Sequence, residues 1–92
     1  MHEIEIIVDH PSGLHLRPAA LFVQAASRYD ADIKIRNVSN DSGYQNAKST
    51  MAVMMLRVDT GQTISIQANG TDAPDAIQAL RMLIESGFEV DD

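Results

Sequence analysis

Along this chain the apolar residues fall at every second position in some stretches and at every third or fourth in others, and the order of those periods limits the fold more than any other feature. Thr63-Ile64-Ser65-Ile66-Gln67-Ala68 is the clearest strand, closed by Asn69-Gly70. Ile4, Ile6 and Val8 alternate with Glu5 and Asp9, broken only by Ile7, and predict a half-buried strand that stops at the turn signal Pro11-Ser12-Gly13. Leu21, Phe22, Ala25, Ala26 and Tyr29 repeat at helical spacing, which predicts a helix over Leu16 to Tyr29 with one stripe inward. Ile33 and Ile35 alternate with Lys34 and Arg36, and a turn through Asn40-Asp41-Ser42-Gly43 leads to a weaker strand near Tyr44 to Asn46, so this pair reads as a hairpin. Ser49 is placed to cap a short helix through Met55. Asp72 is placed to cap a last helix, with Pro74 in a first turn that needs no amide donor and an apolar stripe from Ala73 to Ile84 that ends before Gly87. The order is βαββαβα, an α+β domain with helices over one face of a sheet.

The 92 residues suffice for one domain over 1–92, and no repeat or linker divides them. With 45% hydrophobic and 22% charged residues the chain can fill one core. It has no cysteine, so neither disulfides nor thiolate metal sites staple it, which fits a reducing cytoplasm. The start Met1-His2-Glu3-Ile4-Glu5 lacks the basic region and apolar run of a secretory signal, and no stretch approaches a membrane span, so neither export nor membrane insertion is expected. Thirteen acidic against seven basic residues give a formal charge of −6, which repels nucleic acid. Asp72, Asp75, Glu85, Glu89, Asp91 and Asp92 read as a solvated face and tail.

The densest chemistry lies in Gly13-Leu14-His15-Leu16-Arg17-Pro18-Ala19-Ala20, which sets an imidazole and a guanidinium at the start of a helix. Helix N-termini present unpaired amides and the positive end of the backbone dipole, so a phosphate there is stabilised without a dedicated pocket. With His15 at the cap, Leu16 and Arg17 offer those amides, and Pro18 helps fix the helix start without wasting a donor. Gly13 is expected to keep the approach open. Neutral imidazole is a nucleophile near physiological pH, and a phosphorylated ring nitrogen is a good leaving group. Arg17 can meet phosphate oxygens with a planar fork of donors. By itself, a histidine before a helix is more often a capping or surface residue.

That eight-residue segment resembles the active-site signature of HPr, the histidine-containing phosphocarrier family of the bacterial phosphoenolpyruvate-dependent sugar phosphotransferase system. The stretch Gln45-Asn46-Ala47-Lys48-Ser49-Thr50-Met51-Ala52-Val53-Met54-Met55-Leu56 resembles its second signature, around a regulatory serine, and Gly61 to Ile66 with Asn69-Gly70 resembles its last strand. The resemblance spans nearly the whole chain and implies an open-faced β-sandwich, four antiparallel strands covered on one face by three helices. It implies that His15 is phosphorylated on Nδ1 by phosphorylated enzyme I and passes the group to a sugar-specific IIA component, with Arg17 steadying the phosphate and no cofactor. Ser49 matches the position that an ATP-dependent HPr kinase/phosphorylase modifies in some members, producing a signal read by a transcriptional regulator. The first and short helices imply a docking face at Leu16, Ala20, Thr50, Met51 and Met54. Leu16 stands where a small residue or Thr is common, Thr50 replaces an aliphatic residue, and Ala52, Met55 and Arg57 replace Gly, Ser and Gly. The hairpin through Val38 to Tyr44 is longer than usual by a residue or two.

On the residues alone, Met51, Met54 and Met55 with Leu16 and Ala20 suit either an adaptable exposed patch or the core. Helical spacing predicts that at least one of the three methionines faces inward, with Met51 and Met54 better candidates for partner contact than Met55. His2, His10 and His15 show no metal-ligand spacing, and Ser12 lacks the elbow, oxyanion glycines and third member of a hydrolase, so it reads as turn chemistry. A phosphoryl carrier acting through His15 and a regulatory module controlled through Ser49 remain as alternatives, and the pairing of His15 with Arg17 favours the carrier.

Overall fold

The structure is a computed structural model that describes residues 1–89. Asp91 and Asp92, read above as an acidic tail, lie outside the described residues. The elements are β1 (His2–Ile7), α1 (Leu16–Ser27), β2 (Asp32–Asn37), β3 (Gln45–Asn46), α2 (Thr50–Met55), β4 (Thr63–Asn69) and α3 (Ala73–Glu85). The four strands form one sheet in the order β1-β4-β2-β3, antiparallel at every pairing. The expected order βαββαβα and the antiparallel open sheet are both observed.

The register shows why this sequence makes this sheet. Ile4 and Ile6 of β1 lie opposite Ile66 and Ile64 of β4, and Ile33 and Ile35 of β2 lie opposite Ala68 and Ile66. These residues share the face that meets the helices, because side chains alternate along a strand. Ile64, Ile66, Ala68, Ile33 and Ile35 are wholly buried there. Ile7 breaks the alternation only in composition; it sits on the outer face and is largely exposed, while Val8 beyond it is buried. On that outer face the Tyr44 hydroxyl meets Ser65 Oγ at 2.9 Å and the Arg36 guanidinium stacks over the Tyr44 ring, so Ser65 is buried with its polar atom satisfied.

Helix α1 buries Pro18, Ala19, Phe22, Val23 and Ala26, and α3 buries Ala73, Ala76, Ile77, Leu80 and Ile84. The α1 stripe ends at Ser27 rather than Tyr29: the amides of Arg28 and Tyr29 reach back three residues to Ala25 and Ala26, tightening the end. The C-terminus of α3 closes with the Phe88 amide on the Leu83 carbonyl at 2.9 Å and the Gly87 amide on Ile84, and it delivers Phe88 into the core.

Two expectations about the helices need correction. Asp72 occupies the N-cap position of α3 without capping it; its carboxylate instead accepts from the amides of Asp30 and Ala31, both at 2.8 Å. At φ −100°, ψ 15° its backbone is outside the extended region that aims a cap side chain at its own helix, and the two loop amides take the carboxylate. Asp72 is therefore a tie between the α1–β2 loop and α3, not part of a solvated acidic face. In α2 none of the three methionines faces inward. Six residues give one buried stripe, which Val53 fills with Leu56 just beyond the helix end, leaving Met51 and Met55 each 72% exposed and Met54 38%.

Candidate functional site

His15 is the N-cap residue of α1, in extended conformation (φ −75°, ψ −170°), and its carbonyl accepts the Ala19 amide at 2.9 Å. Its side chain makes no capping bond, and the ring is 70% exposed. Pro18 has no amide proton, so the first-turn donors are Leu16 and Arg17, and neither donates to a protein group among the described residues. Two outward amides, the positive end of a twelve-residue helix and a nucleophilic ring thus lie together.

The segment that carries His15 is clamped to the segment after α2. The Leu14 amide donates to the Val58 carbonyl at 2.9 Å, and Leu14 and Val58 are both buried. Gly13, at φ +58°, backs directly onto this clamp: a Cβ there would lie 2.2 Å from the Val58 carbonyl oxygen and 2.9 Å from Asp59 Cα. The sequence expectation that Gly13 keeps the phosphate's approach open is thus corrected, since its missing side chain admits the 58–59 backbone. On the far side the loop is braced by His10, whose Nδ1 accepts the Ser12 amide at 3.1 Å and whose ring meets Phe88 edge-on at 5.6 Å. Ser12 serves the turn, as expected, with its carbonyl accepting the His15 amide.

The clamp brings Asp59 to His15, with Oδ1 3.8 Å from Nε2, too long for a hydrogen bond but within ion-pair range. Together they line a cleft of about 340 Å³ with Leu14, Met54, Arg57 and Val58. Sequence reasoning missed Asp59, because an aspartate beside Thr60-Gly61 reads as turn chemistry. Only tertiary packing joins positions so far apart. His10 and Phe88 were missed as braces for the same reason.

Arg17 is exposed, forms no ion pair among the described residues, and lines a second cleft of about 570 Å³ with His10, Ser12, Pro18, Phe88 and Glu89. Leu16 is 66% exposed, Ala20 and Thr50 are half-buried, and Met51 and Met55 are equally open. Met54 is brought to the His15 cleft itself. Ser49 caps α2, its Oγ accepting the Ala52 amide at 3.2 Å. No three His, Asp or Glu side chains among the described residues stand close enough to hold a metal ion, and no helix among them is long and apolar enough to cross a membrane.

Arg57 holds a left-handed backbone at φ +52°, a conformation that a residue with a Cβ adopts at a cost of about 1–2 kcal/mol. Glycine's greater freedom in the unfolded chain offsets part of that, so Arg57→Gly is expected to stabilise the fold by about 0.5–1 kcal/mol. A urea midpoint that rises with unchanged slope checks this; an unchanged or lower midpoint shows that the arginine's own contacts outweigh the backbone.

Comparison with known proteins agrees with this architecture. The family model described as "PTS HPr component phosphorylation site" matches residues 2–86. The chain is 41% identical over 85 residues to the HPr-like protein Crh of Halalkalibacterium halodurans, covering 92% of this chain and 98% of that one. It is 40% identical over 81 residues to the phosphocarrier protein HPr of Mycoplasma capricolum, covering 88% of each. It also resembles the multiphosphoryl transfer protein of Vibrio cholerae, 35% identical over 87 residues that make up 95% of this chain, but it spans only 22% of that protein's length. Among solved structures, HPr-C-His from Thermoanaerobacter tengcongensis superposes with a TM-score of 0.91 at 42% identity, covering all of both chains. The shared fold, the matched length and these identities place the chain in the HPr phosphocarrier family of the phosphotransferase system.

Proposed function

We propose that this chain is a cytoplasmic phosphoryl carrier that accepts a phosphoryl group on His15 Nδ1 from phosphorylated enzyme I and passes it to a sugar-specific IIA component. The observation that carries this reading is the exposed, uncapped His15 ring beside the undonated amides of Leu16 and Arg17. The Nδ1 lone pair attacks phosphorus, the donor's bond to phosphorus breaks, and the electron pair stays with the donor. The phosphoryl oxygens bring their negative charge to the place where the helix terminus and the Arg17 guanidinium favour it. No group on the ring has to be displaced before reaction, and the second transfer reverses the same steps. Leu16, Ala20, Thr50, Met51 and Met54 form the docking face, to which Met55 is added by its exposure. Thioethers at the centre and a polar rim suit short-lived complexes with more than one partner.

Incubating the wild-type protein with phosphoenolpyruvate and enzyme I is expected to add one phosphate by intact mass, lost on brief acid treatment. A phosphate that survives acid, or none with active enzyme I, overturns the assignment.

A second, regulatory reading is favoured by Ser49 at the start of α2 and by the 41% identity to a Crh protein. In it, an HPr kinase/phosphorylase phosphorylates Ser49 and a transcriptional regulator reads the product. The phosphate would add up to about two negative charges beside the docking face, where the helix start tolerates them and the apolar contact with a partner does not. Ser49→Ala is expected to abolish ATP-dependent modification and, through loss of the cap, to destabilise the protein by about 1 kcal/mol. Mass analysis with ATP and kinase checks the first part and urea unfolding the second; a wild-type chain that no kinase modifies refutes the regulatory reading.

A further inference from the structure

We propose that Asp59 is a positioning residue for His15, holding the neutral imidazole in the tautomer that carries its proton on Nε2 and so leaving the Nδ1 lone pair for phosphorus. This rests on the reading of His15 as the acceptor. Three observations lead to it. Asp59 Oδ1 is the carboxylate oxygen 3.8 Å from His15 Nε2, on the opposite edge of the ring from Nδ1. Both residues lie on the segments locked together by the Leu14–Val58 hydrogen bond and the side-chain-free approach of Gly13, so their proximity is built into the backbone. Finally, Asp59 is itself anchored. Its amide donates to Gln62 Oε1 at 2.9 Å, its carbonyl accepts the Gln62 amide at 3.1 Å, and Gln62 Oε1 also accepts from the wholly buried Asn37, which reaches on to the Leu56 carbonyl. The backbone that carries this surface carboxylate is thus held by a support that reaches the core.

The consequence for the reaction is specific. A neutral imidazole has one protonated and one nucleophilic nitrogen, and a carboxylate facing Nε2 favours the proton there. When the Nδ1–P bond forms, the ring becomes cationic and keeps its Nε2 proton, facing the Asp59 carboxylate. When the bond to phosphorus breaks, the pair returns to Nδ1 and the ring is neutral again with its proton in place. No proton moves in either transfer. In the free protein the pair is open to water and weak. A partner docking over the Leu14, Met54 and Val58 walls of the cleft excludes water and strengthens it when transfer occurs.

The test uses ¹⁵N-histidine-labelled full-length protein, in which the ring nitrogens report the tautomer under conditions where the imidazole is neutral, together with initial rates of phosphorylation by phosphorylated enzyme I. Asp59→Asn is expected to lower the Nε2–H to Nδ1–H ratio of His15 by about threefold and the kcat of phosphorylation by about fivefold, with KM within about twofold. Asp59→Ala should do at least as much, and Asp59→Glu should restore most of both. Asp59 is largely exposed, so these variants are expected to fold, which their ¹H–¹⁵N spectra verify. An unchanged tautomer ratio in both Asn and Ala variants overturns the proposal, as does an unchanged kcat. Failure of the carrier reading looks different: wild-type protein takes no phosphate, and the tautomer ratio alone then supports or overturns the role of Asp59.

Discussion

Replacing His15 with alanine should abolish phosphoryl acceptance completely while leaving stability within about 1 kcal/mol of wild type. The ring is exposed, makes no capping bond and has the exposed Asp59 as its charged neighbour, so truncation opens no cavity and strips no buried partner. The structural work of position 15 is done by its backbone, whose amide closes the turn on Ser12 and whose carbonyl accepts from Ala19. Alanine preserves both. Intact mass after incubation with phosphoenolpyruvate and enzyme I should show no added phosphate, and urea unfolding should show a slope equal to that of wild type. Continued phosphorylation of the variant would move the acceptor elsewhere. His10 is a poor substitute, because its Nδ1 already accepts the Ser12 amide and its ring edge packs on Phe88. Loss of phosphorylation together with unfolding would mean that the ring holds the loop, contrary to its exposure.

What could be read from the sequence follows from the range of the forces involved. Alternation in Thr63 to Ala68 and the helical repeat after Pro18 are local, so strands, helices and the cap at His15 could be placed from neighbours alone. Ser49 was equally local, its hydroxyl reaching an amide three residues away. Asp72 looked like the same kind of cap, but its carboxylate went to amides more than forty residues earlier, and nothing in the surrounding sequence signals them. The methionines failed for a related reason. Periodicity requires that α2 bury one stripe, yet it does not say which phase meets α1 and the sheet, and Val53 took that place. Asp59 lies at the limit of this logic. Its chemistry was visible in the chain, its position beside His15 was not, and the contact depends on a glycine whose role is also long-range.

That glycine makes the second strong prediction: Gly13→Ala should destabilise the protein by about 3 kcal/mol, enough to lower the melting temperature by about 15 °C in a domain of this size. Two penalties add. The left-handed backbone at φ +58° disfavours any residue with a Cβ, and the new methyl would lie 2.2 Å from the Val58 carbonyl oxygen, an atom fixed by its bond to the Leu14 amide. Backbone cannot yield as a flexible side chain would. Gly61→Ala separates the two penalties, because Gly61 shares the positive φ (+84°) but has nothing within 4 Å of an added Cβ, so it should cost only about 1–2 kcal/mol. Calorimetry of the two variants checks the difference, and equal losses would show that the clash is relieved by a small shift of the loop. Function follows the same geometry. Relief of the clash requires segment 13–15 to part from 58–59, which carries His15 away from Asp59, so the folded Gly13→Ala protein should accept phosphate more slowly than Gly61→Ala at equal folded concentration. If the two variants are phosphorylated equally fast, the clamp sets stability alone and the placement of His15 depends only on the start of α1.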